Sequence, residues 1–360
     1  MANDRNSGEQ LPDLGAFEWP ADGLEEVRTC PVCGSTGRTE LYRGLTDRVF
    51  FCAPGKWDMY RCEGCRSAYL DPRPKENVIH RAYSRYFTHA AGGGANDIAR
   101  LSRVRRIRRS MANGYRNWRY GTRLEPATKL GVPSAFLFAR HRESLDADMR
   151  LIPRLRPGGR LLDVGAGNGQ YLLKARSAGW QVVGVEPDPE ACAIAGKAGL
   201  DVRMGGIECL SSERDAYDVI TVNHVIEHVH DPRGLVKSAF LLLRAGGVLC
   251  LETPNIDSRT GERFGGNWYS LDVPRHLVIF NWQSLEMILA DAGFKCVRKF
   301  ARSDHYANVI AKSRSIARGR DPETEHTALL RDHARAFLGR LRSKASIRGS
   351  DFITIVARKP

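Results

Sequence analysis

Two short cysteine pairs stand out among the nine cysteines of the chain, Cys30-Pro-Val-Cys33 and Cys62-Glu-Gly-Cys65. Each knuckle presents two thiolates from a tight turn. With 28 residues between the inner cysteines, the two can close on one tetrahedral zinc ion. Such a four-thiolate site has no open position, so Zn2+ there is structural. Cys52, between the knuckles, is not read as a ligand. A second run, Leu161-Leu-Asp-Val-Gly-Ala-Gly-Asn-Gly169, carries an apolar strand into a glycine-rich turn ahead of a helix from Gln170. Glycines there accept positive φ and let a ligand touch the backbone.

The glycine loop admits two ligand classes. A dinucleotide site wants Gly-x-Gly-x-x-Gly, with a pyrophosphate on the helix N-terminus. Here the third glycine comes one residue early, and Asp163 directly before the loop would repel a pyrophosphate. It suits a cationic ligand instead. No P-loop lysine follows. Glu186 ends the next apolar run, 23 positions after Asp163, where a carboxylate can accept from both hydroxyls of a ribose.

Two groups of residues could supply a general base. His224-Val-Ile-Glu227-His228 follows an apolar run, and His228 is either a base or a support of its loop. A variant reading places His224, Glu227 and His228 on one helix face as a metal site. The second group is Phe264-Gly-Gly-Asn-Trp-Tyr-Ser-Leu-Asp-Val-Pro-Arg-His-Leu277, a Gly- and Pro-bearing loop of the kind that forms lids. His276 is the first choice for base. Tyr269, Asp272 and Arg275 would bind an acceptor or orient His276.

The elements that must position these groups follow from the pattern. The chain has 360 residues, enough for about two domains. Residues 1–28 read as a flexible N-terminus, 29–75 as a zinc ribbon and 76–150 as a helical basic cap region broken at Gly92-Gly93-Gly94 and Gly114. From there to residue 360, short apolar runs alternate with helical stretches, the signature of βαβ units. Strands are expected at 160–164, 181–186, 202–204, 217–223, 248–253, 295–301 and 351–357, with a helical insertion over 303–345. No run is long enough to span a bilayer, and Met1–Leu14 lacks an apolar signal core. A cytoplasmic protein with reduced thiols is the expectation.

Asp163-Val-Gly-Ala-Gly-Asn-Gly169, Val185-Glu-Pro-Asp188, Tyr217–Pro232 and Leu243-Arg-Ala-Gly-Gly-Val-Leu249 resemble the motifs of class I S-adenosylmethionine (SAM) dependent methyltransferases. The resemblance covers residues 160–300 and implies an α/β, Rossmann-like seven-stranded sheet whose last strand is antiparallel. It also implies SAM as cofactor. Asp163 would lie near its amino group, with Gly165, Gly167 and Asn168 on its methionine part. Glu186 would hold the ribose with Asp188 nearby. Ile207 and Glu208 would flank the adenine, and Asn223 and His224 would line the cofactor. Residues 204–208 depart from the usual acidic motif. Trp268–His276, and the ribbon followed by Asp71-Pro-Arg-Pro74, are similar to segments of methyltransferases from bacterial polysaccharide and cell-envelope biosynthesis.

The net charge is +14, which favours an anionic partner. Nine arginines lie between Ile98 and Arg123. There Ile98, Leu101, Val104, Ile107 and Met111 form a stripe at helical spacing, which reads as a helix packed on the domain. The resemblance and the charge point to a small, sugar- or lipid-linked anionic acceptor, methylated on O or C, with peripheral contact to a membrane as a further expectation. The rival is a nucleic-acid methyltransferase using the ribbon and the Arg-rich helix. Against it, Asn223-His-Val-Ile stands where amino-methyltransferases carry Asn/Asp-Pro-Pro-Tyr/Phe, and few aromatics interleave the arginines.

Overall fold

A computed structural model describes residues 18–84, 102–154, 158–301, 306–326 and 349–360. The expectations for residues 1–17, for the Gly92-Gly93-Gly94 break, for Ile98 and Leu101, and for 303–305 and 327–345 of the stretch 303–345 lie outside them. The chain divides into two compact units. One is Met1–Tyr86, Pro254–Ser284 and His305–Asp351. The other is Phe87–Thr253, Leu285–Asp304 and Phe352–Pro360.

In chain order the strands and helices begin with β1 (Leu24–Glu25), β2 (Arg38–Leu45), β3 (Trp57–Cys62), β4 (Ala68–Leu70) and β5 (Arg73–Pro74). Helices α1 (Arg103–Tyr120), α2 (Gly131–Leu137) and α3 (Ala139–Asp148) follow. Then come β6 (Arg160–Val164), α4 (Gln170–Ser177), β7 (Gln181–Glu186), α5 (Pro189–Lys197), β8 (Asp201–Met204), β9 (Tyr217–Asn223), α6 (Pro232–Leu242) and β10 (Leu243–Pro254). The chain closes with α7 (Arg259–Phe264), β11 (Val278–Ile279), α8 (Trp282–Asp291), β12 (Lys295–Ala301), α9 (Tyr306–Ala317) and β13 (Phe352–Arg358).

Seven strands form one sheet in the order β12-β13-β10-β9-β6-β7-β8. Strands β10, β9, β6, β7 and β8 pair in parallel, and β12 and β13 pair antiparallel. The central strands are apolar nearly throughout because helices cover both faces of such a sheet. Leu161, Leu162, Val219, Ile220, Val222 and Leu249 have essentially no exposed surface. Helix starts follow their caps: Asp188 and Asp231 each accept a backbone N–H of the first turn, with Pro189 and Pro232 at the first helical position.

The stripe expected on α1 is not its packed face. Val104 and Ile107 are 60% and 54% exposed, whereas Ala112, Asn113, Tyr115 and Tyr120 are buried. Nor does Gly114 interrupt the helix. A Cβ there would lie 1.9 Å from the Thr128 carbonyl oxygen, so this glycine serves a close chain crossing rather than a break.

In the other unit, β2, β3, β4 and β11 form a four-stranded antiparallel sheet in the order β11-β4-β3-β2. Asn281 and Ser284 cap α8 reciprocally: Ser284 N–H donates to Asn281 Oδ1 at 2.8 Å, and Asn281 N–H to Ser284 Oγ at 3.0 Å. Asp351 is 1% exposed, takes the Thr260 hydroxyl, and its Oδ2 has no hydrogen-bond partner among the described residues. Burial pushes its carboxyl up to about 7, against the pull of Thr260. Between pH 4 and 7 the folded chain therefore holds a proton that the unfolded chain has lost, so stability falls as pH rises through that window. The loss is on the order of 4 kcal/mol. Urea unfolding at pH 4 and pH 8 should show Asp351→Asn more stable than the parent at pH 8, and the difference should vanish at pH 4.

Candidate functional site

The ten positions expected to hold the cofactor stand at or just past the carboxyl ends of four neighbouring parallel strands. Asp163, Gly165, Gly167 and Asn168 are at the exit of β6. Glu186 ends β7 with Asp188 just after it, Ile207 and Glu208 follow β8, and Asn223 ends β9 with His224 next. Parallel pairing places these carboxyl ends along one sheet edge, where ligands bind in open α/β folds.

Gly165 and Gly167 have φ of 72° and 52°. A Cβ on Gly165 would sit 2.4 Å from Val225 Cγ2, while one on Gly167 would meet nothing within 4 Å, so an open cradle lies over the second glycine. Glu186 holds this turn. Its Oε2 accepts the Gly167 N–H at 2.8 Å and its Oε1 the Asp188 N–H at 3.1 Å. Burial raises its carboxyl against those two bonds. Glu208 is exposed and folds onto the Gly206 N–H at 2.8 Å, while Ile207 is buried.

Asp163 has no exposed surface. Its Oδ1 accepts from Thr221 Oγ1 at 2.7 Å and from Arg150, and its Oδ2 has no partner among the described residues. Burial pushes it up to about 6 although Arg150 and Thr221 pull it down. An orphaned, buried carboxylate oxygen beside an open glycine turn fits a cationic ligand group. Arg150 also lies over the Tyr171 ring at 3.9 Å. Sequence reasoning missed it: Arg150 and Leu151 both have positive φ, 48° and 56°, which no residue type there announces.

His224 also has positive φ, 54°. Residues 224–228 form a turn, not a helix, which corrects the helix-face metal reading. The half-buried ring lies 3.3 Å from Glu227 Oε1 through Nδ1 and 3.4 Å from Glu252 Oε1 through Nε2. Burial opposes a charge on it, but the two carboxylates outweigh burial and raise the ring to about 9. An imidazolium bridging two carboxylates has no lone pair for a metal ion. Thr253 and Thr354 donate to Glu227 and Glu252 at 2.9 and 2.7 Å. Glu252, on β10, was not singled out in the sequence. His228 is half-buried in the same turn.

The loop residues belong to the other unit. His276 is 7% exposed, and its Nδ1 lies 2.8 Å from the Ser270 carbonyl. A carbonyl only accepts, so Nδ1 carries the proton and, in the neutral ring, Nε2 holds the lone pair. Nε2 is 3.9 Å from Asp272 Oδ2. Tyr269 donates its hydroxyl to Glu323 at 2.8 Å. Arg275 departs from the acceptor-binding expectation. It has no exposed surface, and its guanidinium binds Asp47, Asp272 and the Ala82 carbonyl.

The four ribbon cysteines come together. Cys30 and Cys65 sulfurs are 3.6 Å apart, Cys33 and Cys62 sulfurs 3.5 Å, and all four lie within 4.8 Å of one another. A tetrahedron with Zn–S bonds of about 2.3 Å has sulfur edges of about 3.8 Å, so the donor set fits zinc. Cys52 is not in the cluster and donates to the Ala82 carbonyl.

The sheet is that of a Rossmann-like methyltransferase fold, and residues 138–299 match the model of a family described as a methyltransferase domain. Among curated relatives, a ubiquinone biosynthesis O-methyltransferase of Methylocella silvestris is 36% identical over 127 residues, 33% of this chain and 49% of that protein. One of the same name from Xanthomonas campestris pv. campestris is 33% identical over 106 residues, 28% of this chain and 44% of that protein. The chain thus spans just under half the length of these relatives. Among solved structures, a SAM-dependent methyltransferase from Archaeoglobus fulgidus has 20% identity and a TM-score of 0.42, covering 62% of this chain and 99% of that one. Another from Mesorhizobium loti has 16% identity and a TM-score of 0.41, covering 60% and 97%. No helix among the described residues is long and apolar enough to cross a membrane.

Proposed function

We propose that this chain is a SAM-dependent methyltransferase that transfers the methyl group in line to the O or C of a small, sugar- or lipid-linked anionic acceptor. The observation that carries the reading is the pairing of Glu186 with the Gly167 N–H beside the buried, half-satisfied Asp163. SAM supplies an electrophilic methyl on a sulfonium, and what remains for the protein is to bind, orient and exclude water. Asp163 and the Gly165–Asn168 turn would hold the amino-acid part, Glu186 the ribose, Asp188 its surroundings, and Ile207 and Glu208 the adenine. Asn223 and His224 would line the methyl end. His276 is proposed as the base, because its tautomer leaves Nε2 able to take a proton, with Asp272 and Tyr269 supporting it and His228 as the second choice. The four cysteines would hold one structural zinc.

Calorimetric titration with S-adenosylhomocysteine, with NADH as control, tests the reading. Micromolar binding of the former alone is expected, and binding of NADH alone would overturn it. Asp163→Asn should weaken S-adenosylhomocysteine at least about tenfold, the cost of one charge-assisted hydrogen bond. Because Asp163 titrates at about 6, affinity should fall as pH drops through 6, and that slope should be absent from the Asn variant.

A further inference from the structure

The unit with the seven-stranded sheet holds a cleft of about 510 Å³ that the cofactor positions do not use. That volume falls within the range of small-molecule sites. One wall is aromatic. Trp118 and Phe136 lie edge to face with centroids 5.9 Å apart, and Tyr115 and Trp118 lie 6.0 Å apart. Trp118 and Phe136 are 50% and 54% exposed. Large rings half in water inside a concave site are uncovered binding surface.

The lining is also cationic. Arg119, Arg142, Arg298 and Lys299 line the cleft against two carboxylates, Asp146 and Glu143. Asp146 Oδ1 is engaged by the hydroxyls of Tyr115 and Tyr120, at 2.8 and 2.6 Å. Lys299 pairs with Glu286, whereas Arg119, Arg142 and Arg298 make no ion pair among the described residues. Arg142 lies over the Phe136 ring at 5.2 Å, so charge and aromatic surface adjoin. Ala147 and Leu151, which line the cleft, also line a small cavity with Asn223, Glu252 and Arg150. Asn223 ends β9 at the edge where the methyl donor is proposed, and Arg150 reaches Asp163.

We propose that this cleft binds the acceptor, and that the acceptor is an aromatic-bodied oxyanion. Its ring stacks on Trp118 and Phe136, and its phosphate or carboxylate is held by Arg119, Arg142 and Arg298. The assignment as acceptor site rests on the methyltransferase reading; the binding of such an anion does not.

Calorimetry on the full chain tests it with 2-naphthyl phosphate, 2-naphthoate, uncharged 2-naphthol and inorganic phosphate, each with and without S-adenosylhomocysteine. At least one naphthyl anion should bind at least about tenfold more tightly than both 2-naphthol and inorganic phosphate. The tighter of the two anions identifies the oxyanion. Trp118→Ala and Arg142→Gln should each weaken it about tenfold or more and leave S-adenosylhomocysteine affinity unchanged, which also shows that the variants are folded. Equal binding of 2-naphthol would remove the arginines' role. Equal binding of inorganic phosphate would reduce the site to a surface anion contact, and indifference to Trp118→Ala would place the anion elsewhere. Binding of S-adenosylhomocysteine without either naphthyl anion would sink this proposal alone. Anion binding without S-adenosylhomocysteine would sink the methyltransferase reading instead.

Discussion

Cys65→Ser is expected to unfold the ribbon and lower the zinc content from one per chain to near zero. The two knuckles converge on one another at the four sulfurs. Structural zinc in comparable small modules contributes about 10–16 kcal/mol to folding, so losing one of four thiolates removes most of what orders the region. The damage should reach beyond the knuckles. Asn281 donates to the Cys65 carbonyl at 3.0 Å, and β4 pairs with β11 through Tyr69–Val278 and Ala68–Ile279. Metal analysis, with limited proteolysis mapped across 24–84 and 254–284, checks this. A Cys65→Ser protein that keeps its zinc and its protease resistance would refute the four-cysteine assignment. Prolonged chelation of the parent should reproduce the variant, since the proposed site needs both its thiolates and its zinc.

Arg275→Met should cost about 3–5 kcal/mol, because it leaves carboxylates in the interior without their cation. Arg275 has no exposed surface, and Asp47 is 1% exposed. The guanidinium meets Asp47 through both NH groups and Asp272 through Nε and one NH group, and it stacks on Phe50 at 4.6 Å. Asp47 further accepts from the backbone N–H groups of Val49, Phe50, Cys52 and Ala53. Burial opposes its charge, but Arg275 and these N–H groups hold its carboxyl below the usual range. Arg275→Lys should recover only part of the loss, since a lysine has no planar fork for two carboxylates. Pairing Arg275→Met with Asp47→Asn should cost less than the sum of the single changes, because the second removes the charge that the first strands. Urea unfolding of the four proteins decides this. Additive losses would show that the pair is not coupled.

Much of the chain was legible without coordinates. Apolar runs at 161–164, 182–185 and 219–222 alternate with helical stretches, and burial of a strand or helix face imprints a period on nearby residues. The glycine turn was legible for the same reason, since positive φ is a local demand that selects glycine on the spot. The cysteine knuckles carried their own spacing. What the chain did not announce depends on which distant segments meet. Arg275 read as an acceptor ligand or a support of His276, and its partner Asp47 lies 228 residues earlier. Arg150 is one arginine among many, and only a pair of left-handed residues turns it onto Asp163. Gly114 looked like a break because a local reading cannot see the Thr128 carbonyl that needs its space. The grouping of 254–284 and 305–351 with the N-terminal ribbon is of the same kind. Periodicity and turn chemistry are written within a few residues, so the sequence by itself determined the strands of the seven-stranded sheet, the glycine turn and the spacing of the cysteine knuckles. Charge pairing and close packing are written only when the chain returns on itself, so the tertiary structure alone decided which charges neutralise one another and which are left for a ligand.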